Sequence, residues 1–487
     1  MEKLVVEKHN EVYVKVYCEA GIRYELQEYF TFTVPGAKFM PQVRNKFWDG
    51  KIRLFNIATQ LIYSGLLPYI RQFAFERGYE VEVDTELYDT ECSVVEVEEF
   101  AKHILKNKLE ARDYQIQAVA HAIRTKRSLL LSPTASGKSL IIYLLAQYLI
   151  KKNKKILIVV PTTSLVYQMQ TDFEGYGYTS PVRVVTGIEE KTWRNTIKED
   201  IVVTTWQSIY KMPKPWFNQF GAIMGDEAHN FKSKSLTSIM TKLESCQYRY
   251  GFTGTLDGTQ THKLVLEGLF GAVKKVTTTA ELIDKGTLAD LNIKCIVLGY
   301  PDDTRQQHKK DNFRDELDYI VTNKSRNNFI KNLILSLKGN TLALFQYVEK
   351  HGKVLYNDLE QAGTKTVHYV SGEVSGEDRE DIRKLVETAS NDVIVASYGT
   401  FSTGINIINL DNVVFISPSK SRIRVLQSIG RGLRKGNKKS TATLYDIADD
   451  LSWKSHKNYT LQHFAERVKY YNDEKFNYKI YQVQLNI

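Results

Sequence analysis

Three short motifs, set in order along the chain, carry the residues that could do chemistry. They are PTASGKS at 133–139, DEAH at 226–229 and QSIGRGLR at 427–434. A glycine-containing turn with lysine and serine suits phosphate groups, and paired carboxylates suit magnesium and water. Closely spaced arginines suit a phosphoryl group in transfer. Together the motifs indicate hydrolysis of a nucleoside triphosphate between two lobes.

The first motif has the features of a phosphate-binding loop. Gly137 lets the backbone approach a phosphate, and amides at the start of the following helix face the anion. We expect Lys138 to reach the β- and γ-phosphates and the Ser139 hydroxyl to ligate Mg²⁺. Ser132 stands where the usual pattern has its first glycine, and an ordinary strand-to-helix turn is the alternative. The loop residues predicted to contact ATP are Pro133, Thr134, Ala135, Ser136, Gly137, Lys138 and Ser139.

Carboxylates and an upstream helix extend the predicted nucleotide site. Asp226 ends an apolar run and is expected to hold the magnesium shell, while Glu227 orients and deprotonates water. An acidic helix cap is the alternative. Upstream, Gln115 offers a donor and an acceptor that suit the adenine edge, and Arg112 or Tyr114 could stack on the base. A plain helix surface is the alternative for that segment.

The third motif places Arg431 and Arg434 three residues apart on a predicted helix, so that both face one side. Their fixed charge would stabilise the phosphoryl group, and Gln427, one turn earlier, would position water or phosphate. A solvated basic face is the alternative. The predicted catalytic residues are therefore Lys138, Asp226, Glu227, Gln427, Arg431 and Arg434.

Periodicity predicts the elements that position these motifs. Residues 1 to about 100 alternate apolar and polar residues and include a helical stretch at 20–29, which indicates an α+β domain. From about 105, short apolar strands alternate with helices, and a second such series begins near 291. The charged stretch 301–316 indicates a solvated loop or surface helix. The aromatic, basic segment after 450 indicates a C-terminal helix.

We therefore expect an α/β chain with four parts. These are an N-terminal α+β accessory domain (1–100), an ATP-binding parallel-sheet domain (101–280), a second such domain (281–450) and a helical extension (451–487). The 487 residues carry a net charge of +10, for which solubility and nucleic-acid binding are both open explanations. Four scattered cysteines favour a reducing cytoplasm over disulfides or zinc. Neither a signal peptide nor an apolar stretch long enough for a membrane is expected.

The ordered motifs resemble those of the superfamily 2 helicases, over about residues 105–450. The resemblance adds PTTSLVYQ at 161–168, TTWQS at 204–208 and FTGT at 252–255 in the first lobe. In the second it adds LFQYV at 344–348 and ASYGTFSTGIN at 396–406. It implies two tandem RecA-like parallel-sheet domains, with ATP and Mg²⁺ as cofactors, a nucleotide contact at Gly404 and arginine fingers in the third motif.

Further cues resemble the phage recombination helicases within this superfamily. They are NKFWDGKIRL at 45–54, YVSGEV at 369–374, ASYG at 396–399 and DEKFNY at 473–478. This resemblance implies an ATP-dependent DNA helicase that acts on forks, D-loops and R-loops, with RNA present only in hybrids. It also implies branch migration during phage replication and recombination, in a host cytoplasm. Replication or recombination proteins are candidate partners.

Candidate nucleic-acid contacts fall in two groups. Residues at predicted strand ends could hold phosphates without reading sequence, and these are Thr163, Thr205, Trp206 and Thr403. In the N-terminal part, basic residues interleave with Phe47 and Trp48, which suits phosphates and exposed bases. These basic residues are Arg44, Lys46, Lys51 and Arg53. The alternative there is a β-turn whose tryptophan belongs to the core.

Three other functions compete with a DNA helicase. An RNA helicase would share the motor but require RNA to stimulate hydrolysis better than DNA. A motor subunit of a restriction or nuclease complex would need a nuclease signature, and none is evident outside the motor. A non-hydrolysing binding protein conflicts with the intact Lys138, Asp226, Glu227, Arg431 and Arg434.

Overall fold

The computed structural model describes residues 3–106, 108–187, 197–374, 376–404, 407, 409–433 and 441–485. The chain forms two compact units. The first runs to residue 276 apart from the segment 133–136, which groups with the second unit from residue 277 onward. Among the described residues, no helix has the length and apolar character that crossing a bilayer demands.

The first unit begins with a small α+β domain. Its elements are β1 (Lys3–Lys8), β2 (Tyr13–Tyr17), α1 (Ala20–Tyr29), β3 (Thr31–Thr33), α2 (Pro41–Arg44), β4 (Lys51–Arg53), β5 (Leu61–Tyr63), α3 (Leu67–Arg77) and β6 (Glu80–Val83). Four strands form a sheet in the order β5-β2-β1-β6, in which β6 is parallel to β1 and the other pairs are antiparallel. Strands β3 and β4 form a separate antiparallel ribbon. The predicted α+β character is confirmed.

A seven-stranded parallel sheet forms the rest of the first unit. Its elements are α4 (Val94–Leu105), α5 (Asp113–Thr125), β7 (Arg127–Leu131), α6 (Lys138–Lys151), β8 (Ile156–Val160), α7 (Thr163–Gly175), β9 (Val182–Val185), β10 (Ile201–Thr205), α8 (Trp206–Ile209), α9 (Lys214–Phe217), β11 (Ala222–Asp226), α10 (Lys234–Lys242), β12 (Tyr248–Thr253), α11 (Gln260–Phe270) and β13 (Val273–Lys275). The strand order is β13-β7-β12-β11-β8-β10-β9. The five residues of β8 are apolar and buried, as expected for a central strand covered by helices on both faces.

The second unit contains another seven-stranded parallel sheet. Its elements are α12 (Thr279–Asp284), β14 (Asp290–Gly299), α13 (Asp302–His308), α14 (Phe313–Thr322), α15 (Lys324–Ser336), β15 (Thr341–Phe345), α16 (Lys353–Ala362), β16 (Val367–Val370), α17 (Gly376–Thr388), β17 (Val393–Ser397), α18 (Tyr398–Gly404), β18 (Asn412–Phe415), α19 (Arg422–Gly432), β19 (Thr441–Asp450), α20 (Tyr459–Asp473) and β20 (Tyr478–Gln484). The strand order is β16-β17-β15-β18-β19-β14-β20. The two tandem parallel-sheet domains and the C-terminal helix are confirmed.

Two details of the second unit were not expected. The C-terminal segment is not only helical, because β20 follows α20 and pairs in parallel with β14 at the sheet edge. The charged stretch 301–316 forms α13 and the start of α14, in line with the predicted surface helix, yet Glu316 within it is only 3% exposed. Its carboxylate accepts hydrogen bonds from the Asn458 side chain and the Thr460 hydroxyl at 2.9 and 2.7 Å. A buried acidic residue thus holds the C-terminal segment in place through hydrogen bonds.

The accessory sheet is docked tightly on α11 of the first parallel-sheet domain. Leu264 of α11 belongs to the same buried cluster as Leu4, Phe30 and other core residues of the accessory domain. The Tyr69 hydroxyl donates to the Glu267 carboxylate at 2.7 Å. A Cβ on Gly65 would collide with the Glu267 backbone carbonyl oxygen. The accessory domain and the first sheet therefore share a core.

This contact predicts that Gly65→Ala destabilises the protein by about 1–3 kcal/mol, because overpacking must separate two backbones. The measurement is the urea midpoint of the full chain. Gly21→Ala is the matched control, since an added Cβ there meets nothing within 4 Å and the helix position favours alanine. Equal midpoints for the two variants would contradict the tight docking.

Candidate nucleotide-binding active site

The predicted phosphate loop lies between the end of β7 and the start of α6. Ala135 and Gly137 have positive φ angles of 64° and 78°. The Ser136 hydroxyl donates to the Pro133 carbonyl oxygen at 2.6 Å and so holds the turn closed. Gly137 is the N-cap of α6, and a Cβ there would collide with the Gln115 amide. Glycine is therefore required by both backbone angle and space, and it opens a helix whose first amides lack intrahelical partners.

Lys138 meets the two acidic residues of the second motif. Its ammonium Nζ lies 3.2 Å from Glu227 Oε1 and 3.5 Å from Asp226 Oδ1. The three side chains are only 18%, 20% and 11% exposed. Strands β7 and β11 are both neighbours of β12, and their carboxyl ends deliver these residues to one edge of the sheet. The structure thus brings together two motifs that are far apart in the sequence.

Burial and mutual attraction set the protonation of this cluster. Burial acts against the charge of Lys138, but the two carboxylates outweigh it and raise the pKa of Lys138 to about 12. Burial raises the pKa of Asp226 despite the lysine charge. Burial also opposes ionisation of Glu227, but Lys138 and His229 outweigh it and hold the pKa of Glu227 well below its usual value. The cluster therefore keeps a positive lysine beside an ionised Glu227.

Glu227 is held in a strained conformation by its neighbours. Its φ and ψ angles are 48° and 51°, in the left-handed region that non-glycine residues rarely adopt. The His229 Nδ1 atom lies 3.3 Å from Glu227 Oε2 and 3.0 Å from the Thr253 hydroxyl. That hydroxyl donates in turn to the Thr255 carbonyl oxygen at 3.0 Å. A chain of polar contacts therefore connects the carboxylate at the end of β11 with the end of β12.

The Ser139 hydroxyl has a protein partner. It lies 2.7 Å from the hydroxyl of Tyr176, which follows α7. Tyr176 also packs its ring on Tyr143 of α6, with ring centroids 5.3 Å apart. The aromatic pair fixes the position of the Ser139 side chain at the start of α6. Magnesium ligation by Ser139 and Asp226 stays a prediction.

The structure gives Gln115 a second role beside the predicted one. The side chain is 3% exposed, and its carbonyl oxygen accepts from the Arg112 backbone N–H at 2.8 Å. Its amide nitrogen donates to the Gly137 carbonyl oxygen at 3.4 Å. Gln115 thus connects the start of α5 to the phosphate loop. Arg112 is exposed, and its guanidinium donates to the Tyr114 hydroxyl at 2.8 Å. Contacts of Gln115 and Arg112 with adenine stay predictions.

The second-unit residues are only partly described. Gln427 is half-buried on α19, four residues before Arg431. The side chains of Arg431 and Thr403 lie outside the described part of the chain, although the backbones of both residues and of Gly404 belong to helices. Arg434 lies wholly outside the described residues. The predicted roles of these residues stay predictions.

The strand-end residues of the first unit differ in exposure. Thr163 begins α7 and is exposed. Thr205 is 5% exposed, and its hydroxyl pairs with the Ser208 hydroxyl at 3.0 Å, so it is not presented to solvent here. Trp206 is half-buried and packs edge-on against Tyr210. Phosphate contacts of Thr163, Thr205 and Trp206 stay predictions.

The basic segment of the accessory domain, residues 31–53, is built on the β3–β4 ribbon, and we call it the arm. Four cations of the arm are exposed, namely Lys38, Arg44, Lys46 and Lys51. Arg53 is also exposed and forms an ion pair with Asp49. Phe39 and Phe47 are 70% and 83% exposed. Trp48 is half-buried, and its indole N–H donates to the Lys51 carbonyl oxygen at 3.0 Å. Trp48 therefore braces the arm, and the two phenylalanines are its open aromatic faces.

Sequence reasoning gave no role to several residues of the site. His229 and Thr253 lie within quoted motifs, and the signal for them was the motif itself. Tyr176 had no sequence signal, because it reaches Ser139 only through the turn after α7. Phe39 lies outside the basic run, and only the fold of the arm shows its exposure.

Three family models match the chain. The model described as DNA helicase UvsW, N-terminal matches residues 4–84. The model described as Type III restriction enzyme, res subunit matches residues 108–258. The model described as helicase conserved C-terminal domain matches residues 325–436. The three matches follow one another in the order of the accessory domain and the two parallel sheets.

One curated relative aligns over nearly the whole chain. It is 36% identical over 498 aligned residues to the ATP-dependent DNA helicase uvsW of Enterobacteria phage T4, with 98% of this chain and 99% of the relative covered. The crystal structure of T4 UvsW matches with a TM-score of 0.53 at 35% identity, covering 99% and 100% of the two chains. The restriction-modification enzyme LlaBIII bound to DNA matches with a TM-score of 0.56 at 16% identity, covering 77% and 32%. This last likeness shows the fold alone.

The polar chain behind Glu227 predicts a defect in turnover for Thr253→Val. Loss of the hydroxyl removes a partner of His229 and loosens Glu227, so we expect kcat for ATP hydrolysis to fall about tenfold with little change in KM. Steady-state kinetics test this. Thr241→Val is the control, because its hydroxyl bonds only the Ser238 carbonyl oxygen on α10. If both variants kept the parental kcat, Thr253 would have no positioning role.

Proposed function

Because the chain belongs to the UvsW family of ATP-dependent DNA helicases, we propose that it uses ATP hydrolysis to move on and unwind branched DNA. The observation that carries this proposal is the cluster of Lys138, Asp226 and Glu227 at the carboxyl ends of parallel strands. A lysine beside a strained, ionised glutamate is typical of an enzyme that hydrolyses a phosphate bond and is not needed in a passive binding protein.

The phosphate loop would bind ATP through backbone and charge. Gly137 exposes the first amides of α6 to the phosphates, and the helix dipole adds to their attraction. The ammonium of Lys138 would turn from the carboxylates to the β- and γ-phosphates, at a cost that the stronger phosphate charge offsets. Ser136 keeps the turn closed through the Pro133 carbonyl oxygen and so limits reorganisation on binding.

The donor set fits a magnesium ion. The Ser139 hydroxyl and the Asp226 carboxylate are hard oxygen donors, and Mg²⁺ is usually held by one or two such protein ligands together with phosphates and water. Bound there, the ion would neutralise charge that develops on the phosphates. Tyr176 would keep the Ser139 hydroxyl in place.

Movement of Lys138 would also activate the general base. With the ammonium 3.2 Å away, Glu227 is a weaker base than an ordinary glutamate, because its pKa is held well below its usual value. Transfer of the ammonium to the phosphates removes that charge and raises the basicity of Glu227. His229 and Thr253 keep the carboxylate oriented toward the attacking water. Nucleotide binding would thus switch on the base that hydrolysis needs.

The second unit would complete the reaction and couple it to movement. Arg431 and Arg434 are proposed as arginine fingers, with Gln427 positioning water or phosphate and Gly404 near the nucleotide. Support comes from the match of residues 325–436 to the helicase C-terminal model. Thr163, Thr205, Trp206 and Thr403 are proposed contacts along the strand.

We propose that the arm binds branched substrates. Its exposed cations suit the two phosphate backbones at a junction, and Phe39 and Phe47 offer faces on which an unpaired base can stack. The proposed substrates are forks, D-loops, four-way junctions and R-loops, with RNA only in hybrids. Such contacts read shape rather than sequence.

None of the three rival functions has an observation that favours it over a DNA helicase. The match to a restriction-subunit model covers residues 108–258, which is motor sequence, and the LlaBIII likeness concerns the fold. The accessory domain matches a DNA helicase model. We further propose a cytoplasmic setting in a phage-infected cell and replication or recombination proteins as partners. The unpaired Cys18, Cys92, Cys246 and Cys295 support a reducing compartment.

For the motor, we predict that Lys138→Ala abolishes ATP hydrolysis, with a loss of at least about 10³-fold, while DNA affinity stays within about twofold. Removal of the ammonium leaves the phosphates without their cation and Glu227 without its partner. Lys152→Ala, an exposed lysine at the other end of α6, is the control. Hydrolysis at the parental rate in Lys138→Ala would refute this site.

For the substrate, we predict that the full chain unwinds forks, four-way junctions and R-loops faster than linear or RNA duplexes. Lys46→Gln combined with Phe47→Ala should lower fork unwinding about tenfold, because a phosphate contact and a stacking face are lost. Hydrolysis stimulated by single-stranded DNA should stay near the parental rate.

The control for the arm is Phe75→Ala, which removes an aromatic ring that is 87% exposed but lies on α3 outside the arm. Equal fork unwinding by the arm variant and this control would remove the arm from the proposal. Stronger stimulation by RNA duplexes than by any DNA would instead favour the RNA helicase.

A further inference from the structure

A cavity of about 570 Å³ lies between the accessory sheet and the amino end of β7, within the first unit. We call it the β7 cavity. Its lining includes Lys8, Ser64, Arg71, Lys126 and Arg127. Arg127 begins β7 and Leu131 ends it, so the cavity and the phosphate loop lie at opposite ends of one strand, about 13 Å apart. The cavity is therefore distinct from the ATPase site.

Two buried polar atoms at this cavity have no hydrogen-bond partner among the described residues. They are the Ser64 hydroxyl oxygen and Nη1 of the Arg127 guanidinium. Ser64 is only 4% exposed. A buried donor without an acceptor is costly, about 1–3 kcal/mol, and is uncommon unless something else supplies the acceptor. Both residues line the same cavity, and because the two atoms themselves are covered, a rotation of each side chain would bring its donor to an acceptor held there.

The charged residues of the lining are four cations, Lys8, Arg71, Lys126 and Arg127, and three acids, Glu11, Glu86 and Asp89. Glu11 serves both Lys8 at 2.8 Å and Arg127 at 3.6 Å. A second guanidinium, Arg249, is fully buried close by and donates only to backbone carbonyl oxygens, at 2.7–3.1 Å. Burial, together with the charge of Arg249, lowers the pKa of Arg127 to about 10. Lys8 and Arg127 thus share the Glu11 carboxylate.

The rim of the cavity adds two cations with long, flexible side chains. Arg71 of α3 is exposed and lies over the Tyr88 ring, 5.6 Å from its centroid. Lys126 precedes β7 and has a φ angle of 59°. Neither has an ion-pair partner among the described residues, whereas the rim carboxylate Glu86 pairs with Lys8 at 3.1 Å. Asp89 is a further acid of the rim. Despite these acids, the side chains of Arg71 and Lys126 can both turn toward an anion bound in the cavity.

We propose that the β7 cavity is a second anion site that binds a phosphate group, presented by a free nucleotide or by the end of a nucleic-acid strand. A phosphate group offers several oxygen acceptors to the Ser64 hydroxyl and the Arg127 guanidinium. Its negative charge would also attract the side chains of Arg71 and Lys126. The volume suits a ligand of nucleotide size. Its position between two domains that share a core would let the ligand fix how the accessory sheet sits on the motor sheet.

The test measures binding of inorganic pyrophosphate to the full chain by calorimetry, with ADP and beryllium fluoride filling the ATPase site. Wild type should bind one equivalent. The double variant Arg71→Gln, Lys126→Gln should bind at least about tenfold more weakly, since two charge-assisted contacts are lost. Ser64→Ala should also weaken binding, and it removes only one unpaired hydroxyl from the interior. The control is Lys15→Gln, Lys152→Gln, which removes the same charge elsewhere and should bind as wild type does.

Competition distinguishes the sources of the phosphate. Displacement of pyrophosphate by AMP alone assigns a free nucleotide, and displacement by tetrathymidylate only when it carries a 5′-phosphate assigns a strand end. No binding, or equal binding by wild type and the double variant, overturns the proposal. Displacement by tetraglutamate with the same dependence on Arg71 and Lys126 overturns it in favour of an acidic peptide. None of these readouts measures hydrolysis or unwinding, so failure here would leave the proposed helicase function standing.

Discussion

The ammonium of Lys138 beside two partly buried carboxylates is the interaction on which the first unit depends. A lysine, an aspartate and a glutamate can leave bulk water together only if their charges meet closely. The parallel sheet meets that demand, because β7 and β11 end at the same edge, on either side of β12. Glu227 accepts a left-handed backbone at this edge, and His229 and Thr253 hold it there. The site is therefore a property of the sheet rather than of any one loop.

Much of the fold could be predicted because the hydrophobic period and the composition of an element are contained in a short stretch of sequence. The helix predicted over 20–29 has those bounds, and the strands β8 and β10 are buried along their whole length, as in a parallel sheet that is covered on both faces. The three motifs were also identifiable, since each packs its chemistry into a few consecutive residues. Lys138 with Asp226 and Glu227 could be expected to meet once the sheet was parallel.

What escaped prediction depends on contacts between distant segments. The Gln115 amide serves the loop backbone, the Thr205 hydroxyl faces Ser208, and Glu316 turns inward to Asn458. In each case a polar residue typical of surfaces finds a partner that only the tertiary fold supplies. Similarly, β20 has exposed residues at most positions and no strong alternation, so its pairing with β14 has no clear local signal. Buried pairs such as Arg467 with Asp446 at 2.7 Å belong to the same class.

The shared core between the accessory sheet and α11 has a consequence for how this chain can be divided. Leu264 is buried by residues of the accessory domain, and Gly268 lies against the Tyr63 ring so closely that a Cβ would not fit. A fragment beginning after β6 would uncover this apolar surface and invite aggregation. The first ninety or so residues are thus no detachable adaptor. Shortened forms of the motor would need a resurfaced α11 to stay in solution.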